Sequence, residues 1–334
     1  MSPTTDPGAD DLRLAIAAIV LGAEPEYDQP AFEAASGIPL ERAERYWRAL
    51  GFPDADPGEA PYTATDIEAL KHAVDLVDNG GIEEKYVLAV TRALGQTMSR
   101  LADWEVDIAV DRLLAEGRPM DPVRTRARLE SSLPDLEHML VHAWRRHLLA
   151  AVERVLDADQ DDLSAVSLTV GFADVVGFTG LTRRLDEDEL GALVEGFEAW
   201  AAGAVIALGG RLVKTMGDEV LFAAIEPEVG IEAALHLAAG WGRDQPPVRV
   251  GLATGRVVHR MGDVFGTPVN LASRLTAFAR PGSALSDATT AAAVGSMHGV
   301  GARALSPRSV RGLGIVEPWL LTATPHIESP KTYQ

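Results

Sequence analysis

The chain has 334 residues, 47% hydrophobic and 24% charged, and contains no cysteine. That length can bury two separate cores, and the missing thiols exclude a disulfide framework, a zinc–thiolate site and a cysteine nucleophile. A net charge of −19 argues against a broad electrostatic footprint for nucleic acid, so no nucleic-acid partner is expected.

Residues 1–10 are acidic, lack the basic region of a signal peptide and read as a disordered leader. The apolar run Leu14 to Leu21 is too short to span a bilayer, and no transmembrane segment is expected. A cytoplasmic location fits the lack of cysteine, with peripheral membrane association left open. From 11 to 158 the pattern is helical. Apolar residues recur at helical spacing in Ile67, Leu70, Val74 and Val77, and again in Val87, Val90, Leu94, Met98 and Leu101. Breaks are predicted at Pro53–Gly58, Asp78–Gly81 and Gly117–Pro122. A last helix is predicted over 134–156, and the acidic stretch from Asp157 to Asp162 marks the domain boundary.

Beyond Ser164 short β-branched runs alternate with helical stretches. Strands are predicted over 167–172 and 248–254, a hairpin from 210–215 and 220–224, and helices over 186–208, 231–241 and 268–278. Leu285 and 319–322 read as later strands, and residues 324–334 as a tail. Helices and hairpins in this order predict an α+β domain over 164–323, with helices packed on a sheet.

Two aspartates in matching glycine-flanked frames stand out. Asp174 lies in Val170-Gly-Phe-Ala-Asp-Val-Val-Gly-Phe-Thr179, and Asp218 in Lys214-Thr-Met-Gly-Asp-Glu219. Each ends or begins a strand-like run, which delivers a carboxylate to a sheet's rim, and paired carboxylates suit a hard cation that takes further oxygens from substrate phosphates. Taken alone, each reads as an ordinary turn residue before it reads as a ligand. Lys214 precedes Asp218 by four positions on the hairpin strand. Asp263 leads into a helix carrying Asn270 and Arg274, which share one helical face and are singly ordinary surface residues. Strand alternation predicts that Glu219 turns away from the two aspartates.

Taken in order, Phe172–Thr179, Lys214–Glu219 and Asp263–Arg274 resemble the signature blocks of class III nucleotidyl cyclases, over Ser164 to Thr322. The resemblance implies a ferredoxin-like α/β sandwich and an adenylate cyclase that makes 3′,5′-cyclic AMP and pyrophosphate from ATP. It implies that Asp174 and Asp218 hold two Mg2+ or Mn2+ ions, that Lys214 and Asp263 read the purine, and that Asn270 and Arg274 support the transition state. Lys214 can donate to adenine N1 and Asp263 can accept from N6, a pattern that guanine inverts. Backbone amides around Gly177, Phe178 and Thr179 are candidates to cradle the phosphates. Arg311 stands where many family members carry a lysine near the triphosphate, although its Arg-Gly-Leu-Gly setting departs from the usual Lys-Gly-Lys-Gly. Metal and base-reading residues come from different subunits in this family, so a head-to-tail homodimer is implied.

The helical half resembles the regulatory domain that precedes cyclase domains in some actinobacterial, particularly mycobacterial, enzymes, on its layout and on segments such as Trp47–Phe52. One such enzyme is autoinhibited, activated by acid and able to hold a fatty acid. A lipid or other hydrophobic ligand is therefore a candidate partner here. His138, His142 and His147 on the last predicted helix are candidate acid sensors. Two other readings stay open: a catalytically silent nucleotide sensor, and a DNA-binding regulator using the helix-turn-helix-like stretch from Phe32 to Trp47.

Overall fold

In the N-terminal half several helices begin where a side chain takes up free amides. Asp28 accepts from the Ala31 amide at 2.9 Å ahead of α2 (Gln29–Ser36), and Thr63 forms a capping box with Asp66 at the start of α4 (Ala64–Asp78). The remaining helices are α1 (Pro7–Leu21), α3 (Leu40–Leu50), α5 (Glu84–Ala115) and α6 (Pro122–Asp157). A computed structural model describes residues 7–56, 59–115, 117, 121–157, 166–260 and 262–323. It divides into two units between Ala151 and Val152.

In the first unit, Phe32, Tyr46, Tyr62, Ile67, Leu70, Val74 and Val87 form one buried cluster. Arg42 on α3 clamps it. Its guanidinium donates to both Asp78 oxygens at 3.0 and 3.1 Å and to Glu84 Oε1 at 2.7 Å, which ties the end of α4 and the start of α5 to α3. Arg45 pairs with Glu84 and Arg48 with Glu44 and Asp54, so the cations of the helix-turn-helix-like stretch are already committed to carboxylates. Beneath Phe32, Ala43, Trp47 and Tyr62 the packing leaves a void of about 10 Å³. A shallow, open depression of about 290 Å³ lies over Arg45, Ala49, Leu88 and Arg92. Neither is an enclosed chamber for an acyl chain.

Two expectations shift here. Residues 7–10 belong to α1, while the rest of the expected leader lies outside the described residues. The last helix begins at Pro122, ahead of the predicted 134. Asp121 accepts from the amides of Val123 and Arg124 at 3.0 and 3.4 Å, and proline suits the first helical position. The signal read only as a break is also a start. Pro134 stays inside α6, where it forgoes one backbone hydrogen bond. Residues 158–162 of the expected acidic boundary and the expected tail at 324–334 lie outside the described residues.

The second unit runs β1 (Val166–Val175), α7 (Phe178–Leu181), α8 (Glu187–Ala207), β2 (Arg211–Thr215), β3 (Glu219–Ala224), α9 (Pro227–Ala239), β4 (Val248–Arg260) and β5 (Asp263–Phe265). It continues through α10 (Thr267–Phe278), β6 (Ala284–Ser286), α11 (Ala288–Ala292), β7 (Val300–Ala304), β8 (Arg308–Val310), β9 (Gly314–Val316) and β10 (Trp319–Ala323). The sheet order is β2-β3-β1-β4-β6-β10-β7, with β5 paired to β4 and β8–β9 a separate hairpin. Its first part, β1-α8-β2-β3-α9-β4, is antiparallel in the order β4-β1-β3-β2, the ferredoxin-like arrangement. The β4 strand is longer than predicted because Gly255–Val257 still pair with β1 and Val258–Arg260 pair with β5, and α9 starts earlier, at Pro227. The short strands β5, β7, β8 and β9 carry too few residues to show a period.

Alternation gives the sheet two faces. Val175, Val220, Phe222, Val248, Val250 and Leu252 pack under α8 and α9, and Phe172, Leu221, Ala253 and Ala272 pack on the opposite face with α10. By length and hydropathy (1.4) α8 is apolar enough to cross a membrane, yet its Phe197, Ala201 and Val205 are fully buried in the first of these cores. α10 lies against bare backbone at Gly251. A Cβ there would sit 2.2 Å from the Thr276 amide nitrogen and 2.4 Å from the Ala272 carbonyl oxygen.

Gly251→Ala therefore forces α10 off the sheet, and we expect a loss of about 3 kcal/mol in urea unfolding of the second unit. Gly191→Ala, with open space around the new methyl, should be neutral or slightly stabilising. Equal effects of the two substitutions would show that the close approach of α10 is unimportant.

Candidate active site

The site starts from strand register. β1 ends with Asp174 directly opposite Glu219 on β3 and Arg249 on β4. Residues opposite one another in antiparallel strands point to the same face, so the three side chains form a row across β3, β1 and β4, on the α10 side of the sheet. Arg249 Nε donates to Asp174 Oδ2 at 2.6 Å, with Asp174 only 15% exposed. Glu219 thus shares the Asp174 face, contrary to the alternation argument. That argument measured Glu219 against Asp218, but Asp218 lies in the turn before β3, outside the strand's alternation.

The turn is fixed to β1. The Val175 amide donates to the Asp218 carbonyl at 2.9 Å, and Gly217 takes the left-handed φ of +72° that the turn requires. Burial pushes the Asp218 carboxyl above its ordinary range, and the Asp174 charge adds to this; its own backbone amide and Arg249 hold it back. Burial, then the charges of Asp174 and Asp218, raise Glu219 to about 7. Three carboxylates share one guanidinium here. That donor set, all hard oxygen with excess negative charge, fits Mg2+ or Mn2+. Among the described residues no group of three or more His, Cys, Asp or Glu side chains is gathered as a ready-made cage. Such a site takes the rest of its shell from substrate oxygens and water, as magnesium commonly does.

Lys214 reaches the same face through an irregularity. Leu212 pairs with Phe222 and Lys214 with Leu221, so one residue is inserted between them. Phe222 packs under α8 and α9 and Leu221 on the opposite face. The bulge therefore turns Lys214 over to the Asp174 face. There Lys214 Nζ donates to Asp263 Oδ2 at 2.5 Å, joining β2 to β5. Burial pushes the Asp263 carboxyl up, but the hydrogen bonds from Lys214 and the Val264 amide hold it below its ordinary range.

The other candidates are placed as follows. Asn270 and Arg274 lie on the exposed face of α10, where the Asn270 backbone amide donates to the Gly266 carbonyl at 3.3 Å. Gly177, with φ +81°, precedes the short α7 that holds Phe178 and Thr179. The amides of Val175 and Val176 are taken by the carbonyls of Asp218 and Pro247, which narrows the amide cradle to Gly177, Phe178 and Thr179. Arg311 is exposed in the turn between β8 and β9. His138, His142 and His147 are exposed on α6 in the first unit, His138 Nδ1 lying 2.8 Å from the Pro134 carbonyl oxygen. Asp174 meets the first residues of β4 and Asp263 the last, through Arg249 and Arg260. Asp174 and Asp263 thus register with opposite ends of β4, whereas Lys214 registers through Leu221 and Phe172 with Gly251, near its start. Arg249 was missed in the sequence because its role depends on which strand lies beside β1.

Residues 8–148 match the model of the adenylate cyclase regulatory domain. An adenylate cyclase of Streptomyces coelicolor is 43% identical, the alignment covering 96% of this chain and 92% of that protein. An adenylate cyclase of Streptomyces griseus is 39% identical over 95% of this chain and 90% of its own length. A pH-sensitive adenylate cyclase of Mycobacterium tuberculosis is 32% identical over 75% of this chain and 65% of its own length. The helical regulatory domain and, after it in the chain, the ferredoxin-like sheet fit a class III adenylate cyclase with an N-terminal regulatory domain. The chain belongs to the adenylate cyclase family.

With metal ions chelated, Glu219 raised to about 7 means the folded chain binds this proton more tightly than the unfolded one. Stability should fall as pH rises from the ordinary glutamate range to about 7, then level off. Glu219→Gln should remove part of that fall. Parallel melting-temperature profiles for the two proteins between pH 4.5 and 8 would disprove the crowding of these carboxylates.

Proposed function

We propose that the chain converts ATP to 3′,5′-cyclic AMP and pyrophosphate at two composite sites of a head-to-tail homodimer. The observation that carries this reading is the Lys214–Asp263 pair. It sets a cationic donor beside a carboxylate acceptor, the complement of adenine N1 and N6 and the wrong pattern for guanine. Arg274 supplies a guanidinium fork to the phosphoryl oxygens as they gain charge. Asn270 orients the ribose so that its 3′-oxygen attacks the α-phosphorus in line, and the bond to the bridging oxygen of pyrophosphate breaks. The amides of Gly177, Phe178 and Thr179 hold the phosphates, and Arg311 is placed here as a further phosphate contact. Asp174 and Asp218 hold two Mg2+ or Mn2+ ions, which supply the Lewis acidity that eases loss of the hydroxyl proton and neutralises the triphosphate.

The division of labour between subunits is supported by Asp174 and Asp263 registering with opposite ends of β4. Residues 11–158 act as the regulatory domain and 164–323 as the catalytic domain in a cytoplasmic enzyme. Control passes through the N-terminal half, with acid acting on His138, His142 or His147 as one route. For a lipid-like ligand, neither the small void nor the open depression of the first unit is an enclosed chamber. The DNA-binding alternative is weakened by Arg42, Arg45 and Arg48, whose charges are taken by carboxylates.

Asp174→Ala and Arg274→Ala should each lower cyclic AMP production by about two orders of magnitude or more. Mixing the two inactive proteins should restore one intact site per mixed dimer. Failure to recover activity after a tagged pull-down has verified subunit exchange would refute the shared site. Lys214→Glu combined with Asp263→Cys should erode the preference for ATP over GTP, and an unchanged ratio would remove these residues from base selection.

A further inference from the structure

Acidic residues outnumber Lys and Arg by 49 to 30 in this chain, and Arg42, Arg45, Arg48, Lys214 and Arg249 are each paired with a carboxylate. Three basic groups of the second unit are not. Arg211 opens β2, His259 lies near the end of β4, and Arg154 stands on the last turn of α6, beyond the unit boundary at Ala151. Among the described residues no side chain hydrogen-bonds to any of the three, and no carboxylate pairs with them.

The fold brings them together. Arg211 is opposite Ala223, which packs on the α10 side of the sheet with Phe172 and Leu221, so Arg211 shares that side. The Lys214–Asp263 hydrogen bond draws the β4–β5 hairpin back to β2. His259 lies opposite Val264, one residue from Asp263, and Val264 is buried on the same side. The charges act on one another. Burial, then the charge of Arg154, pushes Arg211 below its ordinary range, and burial, then Arg211 and Arg154, push the His259 imidazole down. Through Ala223, Arg211 registers with Val170 of β1, four residues and about 13 Å from Asp174. The cluster is therefore separate from the carboxylate row. Arg211 is half-buried, and a half-buried guanidinium without a counter-charge is costly. An anion with several oxygens removes that cost by serving two guanidinium forks and an imidazolium at once, and phosphate has the matching geometry.

We propose that Arg154, Arg211 and His259 bind a small, soluble, phosphate-bearing anion, which ties the last turn of α6 to the strand that carries Lys214. The site uses none of the residues assigned to ATP or metal. Its test reads melting of the metal-free full chain, not turnover, so failure of the cyclase chemistry and failure of the anion site are distinguishable. Saturating inorganic phosphate should raise the melting temperature by about 3 °C beyond the effect of chloride at equal ionic strength. Arg211→Gln should abolish that rise. Arg154 is exposed, so its replacement leaves the fold intact, and Arg154→Gln should weaken phosphate binding at least threefold. Arg303→Gln, an exposed control on β7, should leave binding unchanged. Equal stabilisation by chloride, or a phosphate response undiminished in both Arg211→Gln and Arg154→Gln, would overturn the site. A response lost in Arg274→Ala but kept in Arg211→Gln would move the anion to the phosphoryl-binding arginine and overturn it as well. Flotation with phosphatidic acid vesicles, without any response to free phosphate, would put the phosphate on a lipid and overturn the soluble ligand.

Discussion

The antiparallel register of β1 between β3 and β4 is the constraint on which the candidate site depends. It sets Glu219, Asp174 and Arg249 side by side on one face of the sheet. The same register buries Val175, Val220 and Val248 on the other face. A slip of one residue would exchange the two faces, putting the charged row under α8 and α9 and exposing the apolar set. Hydrophobic burial on one side thus fixes carboxylate placement on the other. Desolvation then acts on the result: carboxylates held close in a half-buried place are raised toward neutral pH unless a cation joins them. The single guanidinium of Arg249 offsets only part of that repulsion.

Two local departures from regularity adapt this frame to a site. The bulge in β2 turns Lys214 onto the carboxylate face, where it meets Asp263. The bare backbone at Gly251 lets α10 approach within van der Waals contact and so holds Asn270 and Arg274 above the same side of the sheet. Each is a single-residue feature, yet each decides where a charged side chain stands.

The first unit is organised differently. Its core is small, and the Arg42 clamp holds three helices together through charge-assisted bonds to Asp78 and Glu84. α6 extends over 36 residues, none of its described residues being buried.

Much of this was legible in the sequence because it rests on local signals. Period and turn chemistry located α4, α8, α10, β1 and the β2–β3 hairpin, and the order of the motifs around Asp174, Asp218 and Asn270 identified the family. What the sequence could not supply depends on neighbours distant in the chain. Arg249 gains its partner only because β4 lies beside β1, Glu219 joins Asp174 only through cross-strand pairing, and the length of β4 follows from its pairing with both β1 and β5. Even the start of α6 at Pro122 turned on whether Asp121 caps a helix or closes a turn, since the same residues serve both. Local propensity and periodicity are written residue by residue and can be read that way; register, bulges and facing charges are properties of pairs of segments, and only the folded sheet decides them.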